Sequence, residues 1–159
     1  MTSAARMIIV DHPLGVGPNQ YLMVANLGGY SERAGVAWNY ANRSAPVHNS
    51  YLLVWAELGI VGLIGLLTIL ISTVALGWKA MRRLAWEERS ELMIGLLAAV
   101  IVASAHIAFE WLFITNYVHY LLAMSMGALV GITATLRERS GSRSVKRHVA
   151  ATDLASQPS

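Results

Sequence analysis

The sequence predicts an all-α membrane protein with three transmembrane helices, preceded by a loop-rich periplasmic segment with short helices. The chain has 159 residues, of which 55% are hydrophobic and 13% charged, whereas an ordinary soluble domain carries about 25% charged residues. Three apolar runs, at residues 51–78, 92–109 and 118–136, contain a single charged residue, Glu57. Since about 20 apolar residues cross a bilayer core, each run is interpreted as one transmembrane helix.

The first 50 residues precede the membrane domain of residues 51–136 and are frequently interrupted by glycine and proline. Such residues mark turns, so we expect mostly loop with short helices. Residues 6–10 are predicted to end an amphipathic helix before His12 and Pro13, because a residue before proline is disfavoured in the helical conformation.

The orientation follows from the lysines and arginines. They cluster between the first two apolar runs and after the third, whereas the turn at residues 110–117 contains none. Cytoplasmic loops carry the excess of basic residues, so residues 1–50 and this turn are predicted to face the periplasm. The tail, residues 137–159, is rich in serine, alanine and arginine and is predicted to be disordered and cytoplasmic.

Export of residues 1–50 requires a preceding signal. Residues 1–10 lack the charged start and long apolar core of a secretory signal. We therefore expect the chain to be a fragment that normally follows further N-terminal transmembrane helices. With no cysteine in the sequence, disulfide and thiolate chemistry is excluded.

The candidate site lies where the periplasmic segment meets the first apolar run, at residues 47–51. His48 can exchange a proton near neutral pH, and Asn49 or Ser50 can cap the free N–H groups at a helix start. The helix N-terminus also favours an anion such as phosphate. A purely structural interpretation, in which His48 and Asn49 only cap the helix, remains open.

Glu57 follows His48 by nine residues, or about 13 Å along a helix. An ionised group inside a membrane is costly unless it is paired or faces a cavity. We therefore expect Glu57 to have a partner or a proton. The histidine spacing matches no known ligand pattern, so neither a metal nor another cofactor is predicted.

Two motifs resemble the O-antigen ligase and O-antigen polymerase family. His48 and Asn49, followed after nine residues by Gly59 and after two more by Gly62, match the ligase signature. Upstream, residues 12–21 (HPLGVGPNQY) are similar to the segment that precedes this histidine in ligases, polymerases and related glycosylating enzymes. The resemblance covers about residues 4–136, whereas family members have about ten or more transmembrane helices.

The resemblance implies a glycan transferase at the periplasmic face of the bacterial inner membrane. The donor would be a glycan on undecaprenyl diphosphate, and the acceptor a glycolipid, the lipid A core, or another glycan. His48 would be the catalytic residue that activates or orients the acceptor hydroxyl. Asn49, Arg43 and Glu57 would bind substrate, with Arg43 contacting the diphosphate. Membrane lipids are the other expected partners, and nucleic acid is not expected.

Several alternatives remain open. An O-antigen or exopolysaccharide polymerase uses the same donor chemistry and transfers to another lipid-linked glycan, and a protein-glycosylating relative transfers to a protein hydroxyl. A different class is a non-catalytic truncated or accessory membrane protein. A transporter fragment would require broken helices or a midplane charge pair.

Overall fold

The computed structural model describes residues 1–83, 89–109 and 120–135, and these are helical or loop, without a strand among them. The predicted turn at residues 110–117 and the predicted tail lie outside the described residues. Seven helices follow in chain order: α1 (Thr2–Asp11), α2 (Tyr21–Leu27), α3 (Tyr30–Arg33), α4 (Tyr40–Arg43), α5 (Ser50–Arg83), α6 (Arg89–His106) and α7 (Tyr120–Thr135).

The predicted end of the first helix is confirmed. α1 stops at Asp11, and the N–H of His12 donates to the carbonyl of Ile8 at 2.7 Å. Pro13 follows directly, and its ring sterically disfavours the helical conformation at His12. The face of α1 that packs inward is formed by small and branched residues: Ala4, Ala5, Ile8 and Ile9.

Among the described residues, one helix, Ser50–Arg82 within α5, is long and apolar enough to cross a membrane. Glu91–His106 and Tyr120–Thr135 are shorter apolar helices. The helix bounds differ from the apolar runs because helical hydrogen bonding does not end where polarity changes. α5 continues past residue 78, and α6 begins before residue 92 and ends three residues before 109.

α5 is not the continuous helix that the apolar run predicts. Gly59 has φ 69° and ψ −170°, so the helix breaks there. This conformation is open essentially only to glycine. A Cβ atom at Gly62 would overlap the Cβ of Leu58, although side chains four residues apart in a straight helix are about 5–6 Å apart. The chain therefore bends with Leu58 and Gly62 on the inner side of the bend.

Two separate cores lie along α5. The first joins α1, α2 and α3 to the start of α5, and its central side chains include Ile8, Tyr21 and Val47. The second joins the end of α5 to α6 and α7 around Met93 and Leu129. The break at Gly59 lies between these two cores and belongs to the candidate site.

Candidate functional site

The loop after α1 fills the break in α5. The N–H groups of Val16 and Gly17 donate to the carbonyls of Ala56 and Glu57, each at 2.9 Å. In the opposite sense, the N–H of Ile60 donates to the carbonyl of Pro13 at 3.2 Å. A break leaves helical N–H and C=O groups without their usual partners. Residues 13–17 supply those partners, so the two segments form one hydrogen-bonded unit.

Two glycines allow the close approach on which this unit depends. A Cβ at Gly15 would overlap the carbonyl oxygen of Glu57, and a Cβ at Gly59 would overlap the backbone of Leu14. Both glycines also have positive φ, at 87° and 69°. Each position therefore requires glycine for conformation and for space.

Glu57 has the partner that its charge requires. Its Oε2 accepts from the N–H of Asn19 at 3.0 Å, and its Oε1 accepts from the N–H of Tyr21 at 3.1 Å. Tyr21 is the first residue of α2, where a negative charge is favoured by the helix dipole. The expectation of a partner for Glu57 is confirmed, and the partners are two backbone N–H groups.

A cavity of about 550 Å³ lies beside Glu57. Its wall is formed by the loop before α2, the first two residues of α2, the segment before α5 and residues 53–58 of α5. His48 is exposed and follows the wall residue Pro46 by two positions, but it does not line the cavity itself. The lining residues are Pro18, Asn19, Tyr21, Leu22, Ser44, Pro46, Leu53, Val54, Glu57 and Leu58.

Asn49 caps α5, as the structural interpretation of the motif expects. Its Oδ1 accepts from the N–H of Leu52 at 2.9 Å, which satisfies one of the free donors of the first turn. Its Nδ2 donates to the carbonyl of Ala108 at 2.7 Å. The Asn49 side chain therefore caps the N-terminus of α5 and links it by a hydrogen bond to the residues after α6.

The end of α6 lies against the start of α5. The N–H of Ser50 donates to the carbonyl of Ile107 at 2.9 Å, and the hydroxyl of Tyr51 donates to the carbonyl of Ser104 at 2.7 Å. His106 is exposed at this end of the helix pair, on the same side as His48.

Arg43, the predicted diphosphate contact, is bonded to neighbouring residues of the N-terminal segment. Its guanidinium donates to the carbonyl of Val36 at 3.0 Å and to Oδ1 of Asn26 at 3.4 Å. It also stacks on Trp38, with Cζ 4.4 Å from the ring centroid. None of these three contact residues lines the cavity beside Glu57.

A second polar cluster surrounds Tyr30. Its hydroxyl donates to Oδ2 of Asp11 at 2.9 Å and lies 3.3 Å from Nε2 of His12. Arg33 stacks on the Tyr30 ring at 4.3 Å and lies 4.0 Å from the Asp11 carboxylate. The hydrogen bond to Asp11 and burial both raise the pKa of Tyr30. Asp11 and Tyr30 were not predicted, because neither forms a motif with a neighbour in sequence.

No group of three or more histidine, aspartate or glutamate side chains in metal-binding geometry occurs within the described part of the chain. Comparisons with protein families, curated proteins and solved structures find no match to this chain.

Proposed function

We propose that this protein is a membrane-embedded glycan transferase of the O-antigen ligase type. It moves a glycan from undecaprenyl diphosphate to a lipid A core at the periplasmic face of the inner membrane. The observation that carries the proposal is the contact between the two ligase-like motifs. Residues 12–21 and the segment from His48 to Gly62 are far apart in sequence, yet Val16, Gly17 and Pro13 bond to the second motif at its break.

Three transmembrane helices are part of this proposal. Only 17% of the most apolar stretch of Ser50–Arg82 is buried, whereas the core helix of a globular domain is mostly buried. Apolar side chains such as Val61, Ile69 and Val102 are exposed on α5 and α6. A hydrocarbon environment removes this surface from water. The basic residues in the last two turns of α5 and after residue 136 support a cytoplasmic position for these two segments.

In the proposed reaction, an acceptor hydroxyl attacks the anomeric carbon of the donor glycan. The new glycosidic C–O bond forms as the bond to the diphosphate oxygen breaks, and undecaprenyl diphosphate leaves. His48 accepts the hydroxyl proton, a role suited to an imidazole near neutral pH. The leaving diphosphate requires positive charge, and Arg43 remains the candidate from this segment.

Glu57 and Asn49 act as positioning residues in this proposal. The Glu57 carboxylate fixes the loop at Asn19 and Tyr21, which shapes the cavity beside it. Asn49 fixes the helix start directly after His48. Both therefore set where His48 and the cavity lie relative to each other.

A second candidate function, a non-catalytic accessory membrane protein, is favoured by one observation. The Asn49 amide, the two terminal nitrogens of the Arg43 guanidinium and the Glu57 carboxylate are hydrogen-bonded within the protein. If His48 is also only structural, the motif would build a scaffold that packs against a partner. A polymerase, which shares the donor chemistry, is the alternative within the transferase class.

The test is glycan transfer in cells that lack their own ligase. We expect the wild-type protein to restore glycosylated lipid A core and His48→Ala to abolish it at equal membrane abundance. His148→Ala, which removes a histidine outside both motifs, is the matched control and should retain activity. Transfer that survives His48→Ala would contradict the catalytic role. Absence of transfer in the wild type would favour a polymerase or the accessory protein.

A further inference from the structure

The part of α5 that follows the break at Gly59 has the length of a bilayer core. Counting back from Trp78, the residue before Lys79, the uncharged stretch reaches Gly59 after about 20 residues. At a rise of 1.5 Å per residue this is about 30 Å, the thickness of the hydrocarbon core. This part of α5 is therefore long enough by itself to cross a membrane.

The loop that fills the break carries an exposed apolar side chain at this level. Leu14 is 79% exposed, and its backbone packs directly against Gly59. The neighbouring helix residues Ile60 and Val61 also have exposed side chains, the latter at 71%. The apolar surface of α5 thus continues from the helix onto the loop.

The backbone hydrogen bonds of this loop allow it to lie at the edge of a membrane. Irregular backbone is tolerated at the edge of a membrane only where its N–H and C=O groups are paired. Here the N–H groups of Val16 and Gly17 and the carbonyl of Pro13 are all bonded to α5. The loop therefore presents the Leu14 side chain outward while three of its polar groups are bonded to the helix.

We propose that residues 12–17 form a lipid-anchored segment, with Leu14 inserted among the acyl chains of the outer leaflet. The partner is the lipid surface. This inference rests on the membrane-spanning part of the proposed function and is independent of the glycan chemistry.

The absence of cysteine from the sequence permits a direct test by site-directed spin labelling of the protein in phosphatidylethanolamine–phosphatidylglycerol vesicles. Single substitutions Leu14→Cys, Leu27→Cys and Ile69→Cys each carry one nitroxide at a position whose native side chain is exposed, at 79%, 83% and 57%. Collision with oxygen reports acyl chains, and collision with a nickel chelate reports water. Leu27 is the matched control on the end of α2.

We expect the Leu14 label to resemble the Ile69 label, with nickel collision several-fold lower than at Leu27 and high oxygen collision. A Leu14 label as accessible to nickel as that at Leu27 would overturn the inference and leave the span intact. A Leu14 label that reaches neither reagent would indicate a protein cover, such as a second copy, and would also overturn it. Nickel access at Ile69 would contradict the membrane span itself.

Discussion

At the scale of single residues, Glu57 shows how one charge is placed in an otherwise uncharged segment. The carboxylate is half-buried and accepts from two backbone N–H groups, those of Asn19 and Tyr21. Both oxygens of the partly buried carboxylate therefore have a hydrogen-bond partner in the folded protein. Glu57 therefore holds the loop and α2 on the first half of α5.

Replacing Glu57 by glutamine should weaken this attachment. The side-chain NH₂ group would face one of two N–H donors, and the charge that strengthens both bonds would be lost. Because hydrogen bonds to charged groups contribute about 1.5–3 kcal/mol, we expect Glu57→Gln to lower the free energy of unfolding by about 2 kcal/mol. Guanidinium unfolding in detergent, followed by tryptophan fluorescence, measures the change.

The matched control is Glu32→Gln, which removes the same charge from an exposed position on α3. Its effect should be small, since exposed surface substitutions usually change stability by less than about 0.5 kcal/mol. Equal stability of Glu57→Gln and the wild type would show that the two N–H bonds do not hold the loop.

Tyr21 should make stability depend on alkaline pH. Burial raises its pKa to about 12, whereas an unfolded tyrosine titrates near 10. Between about pH 10 and pH 12 the unfolded chain loses this proton and the folded chain keeps it, so the free energy of unfolding falls as pH rises. Two pKa units correspond to about 2–3 kcal/mol.

The measurement is the difference in unfolding free energy between the wild type and Tyr21→Phe at a series of pH values. This difference should be constant below about pH 10 and shift in favour of Tyr21→Phe as the pH approaches 12. Tyr40→Phe, which removes a phenol that is 88% exposed, is the control and should follow the wild type. A pH dependence unaltered by Tyr21→Phe would contradict the burial argument.

At the scale of secondary structure, the central feature is the broken helix α5 and the loop that completes it. Gly15 and Gly59 occupy positive φ, and each contacts the backbone of the other segment. Substitution by alanine would add strain of order 1–3 kcal/mol for the conformation and a steric overlap. We expect Gly15→Ala and Gly59→Ala each to lower the free energy of unfolding by about 2–3 kcal/mol or more.

Gly65→Ala provides the matched control, because a Cβ at Gly65 meets open space within the regular part of α5. Alanine is favoured over glycine in a helix interior by about 0.5–1 kcal/mol, so this variant should be as stable as the wild type or more stable. If Gly59→Ala behaved like Gly65→Ala in the same unfolding assay, the break would not be required by the fold.

The helices could be predicted from the sequence, but the break could not. Apolar runs predict α5, α6 and α7, and Pro13 predicts the end of α1, since these signals depend on neighbouring residues. Gly59 lies in the same apolar run as Gly65, and the neighbouring residues do not indicate that the helix breaks at one glycine and continues through the other. Its conformation depends on contact with Leu14, 45 positions earlier, which hydrophobic periodicity does not report.

The candidate site was predictable in part for the same reason. The cost of burying a charge predicted that Glu57 has a partner. The sequence does not show which partner it is, because a backbone N–H group is present at every residue except proline. The motif positions predicted His48 and Asn49 at a helix start, and the cap at Asn49 is confirmed. The stacking of Arg43 on Trp38 depends on loop geometry that a single sequence does not encode visibly.

At the scale of the whole molecule, α5 connects two regions with different surroundings. Its first half packs with α1, α2 and α3 around the cavity beside Glu57. Its second half packs with α6 and α7 and leaves apolar side chains exposed. In the proposed orientation, the first region lies at the outer membrane surface and the second crosses the bilayer, so His48 is accessible to a lipid-linked donor from the periplasmic side.

The most direct test of the proposed function is transfer by the purified protein in vesicles that contain an undecaprenyl-diphosphate-linked glycan and a lipid A core acceptor. We predict glycosylated lipid A core together with an equal amount of released undecaprenyl diphosphate, and neither product with His48→Ala. Donor that remains intact when the acceptor is a lipid A core, a second lipid-linked glycan or a protein would contradict the transferase and favour the accessory protein.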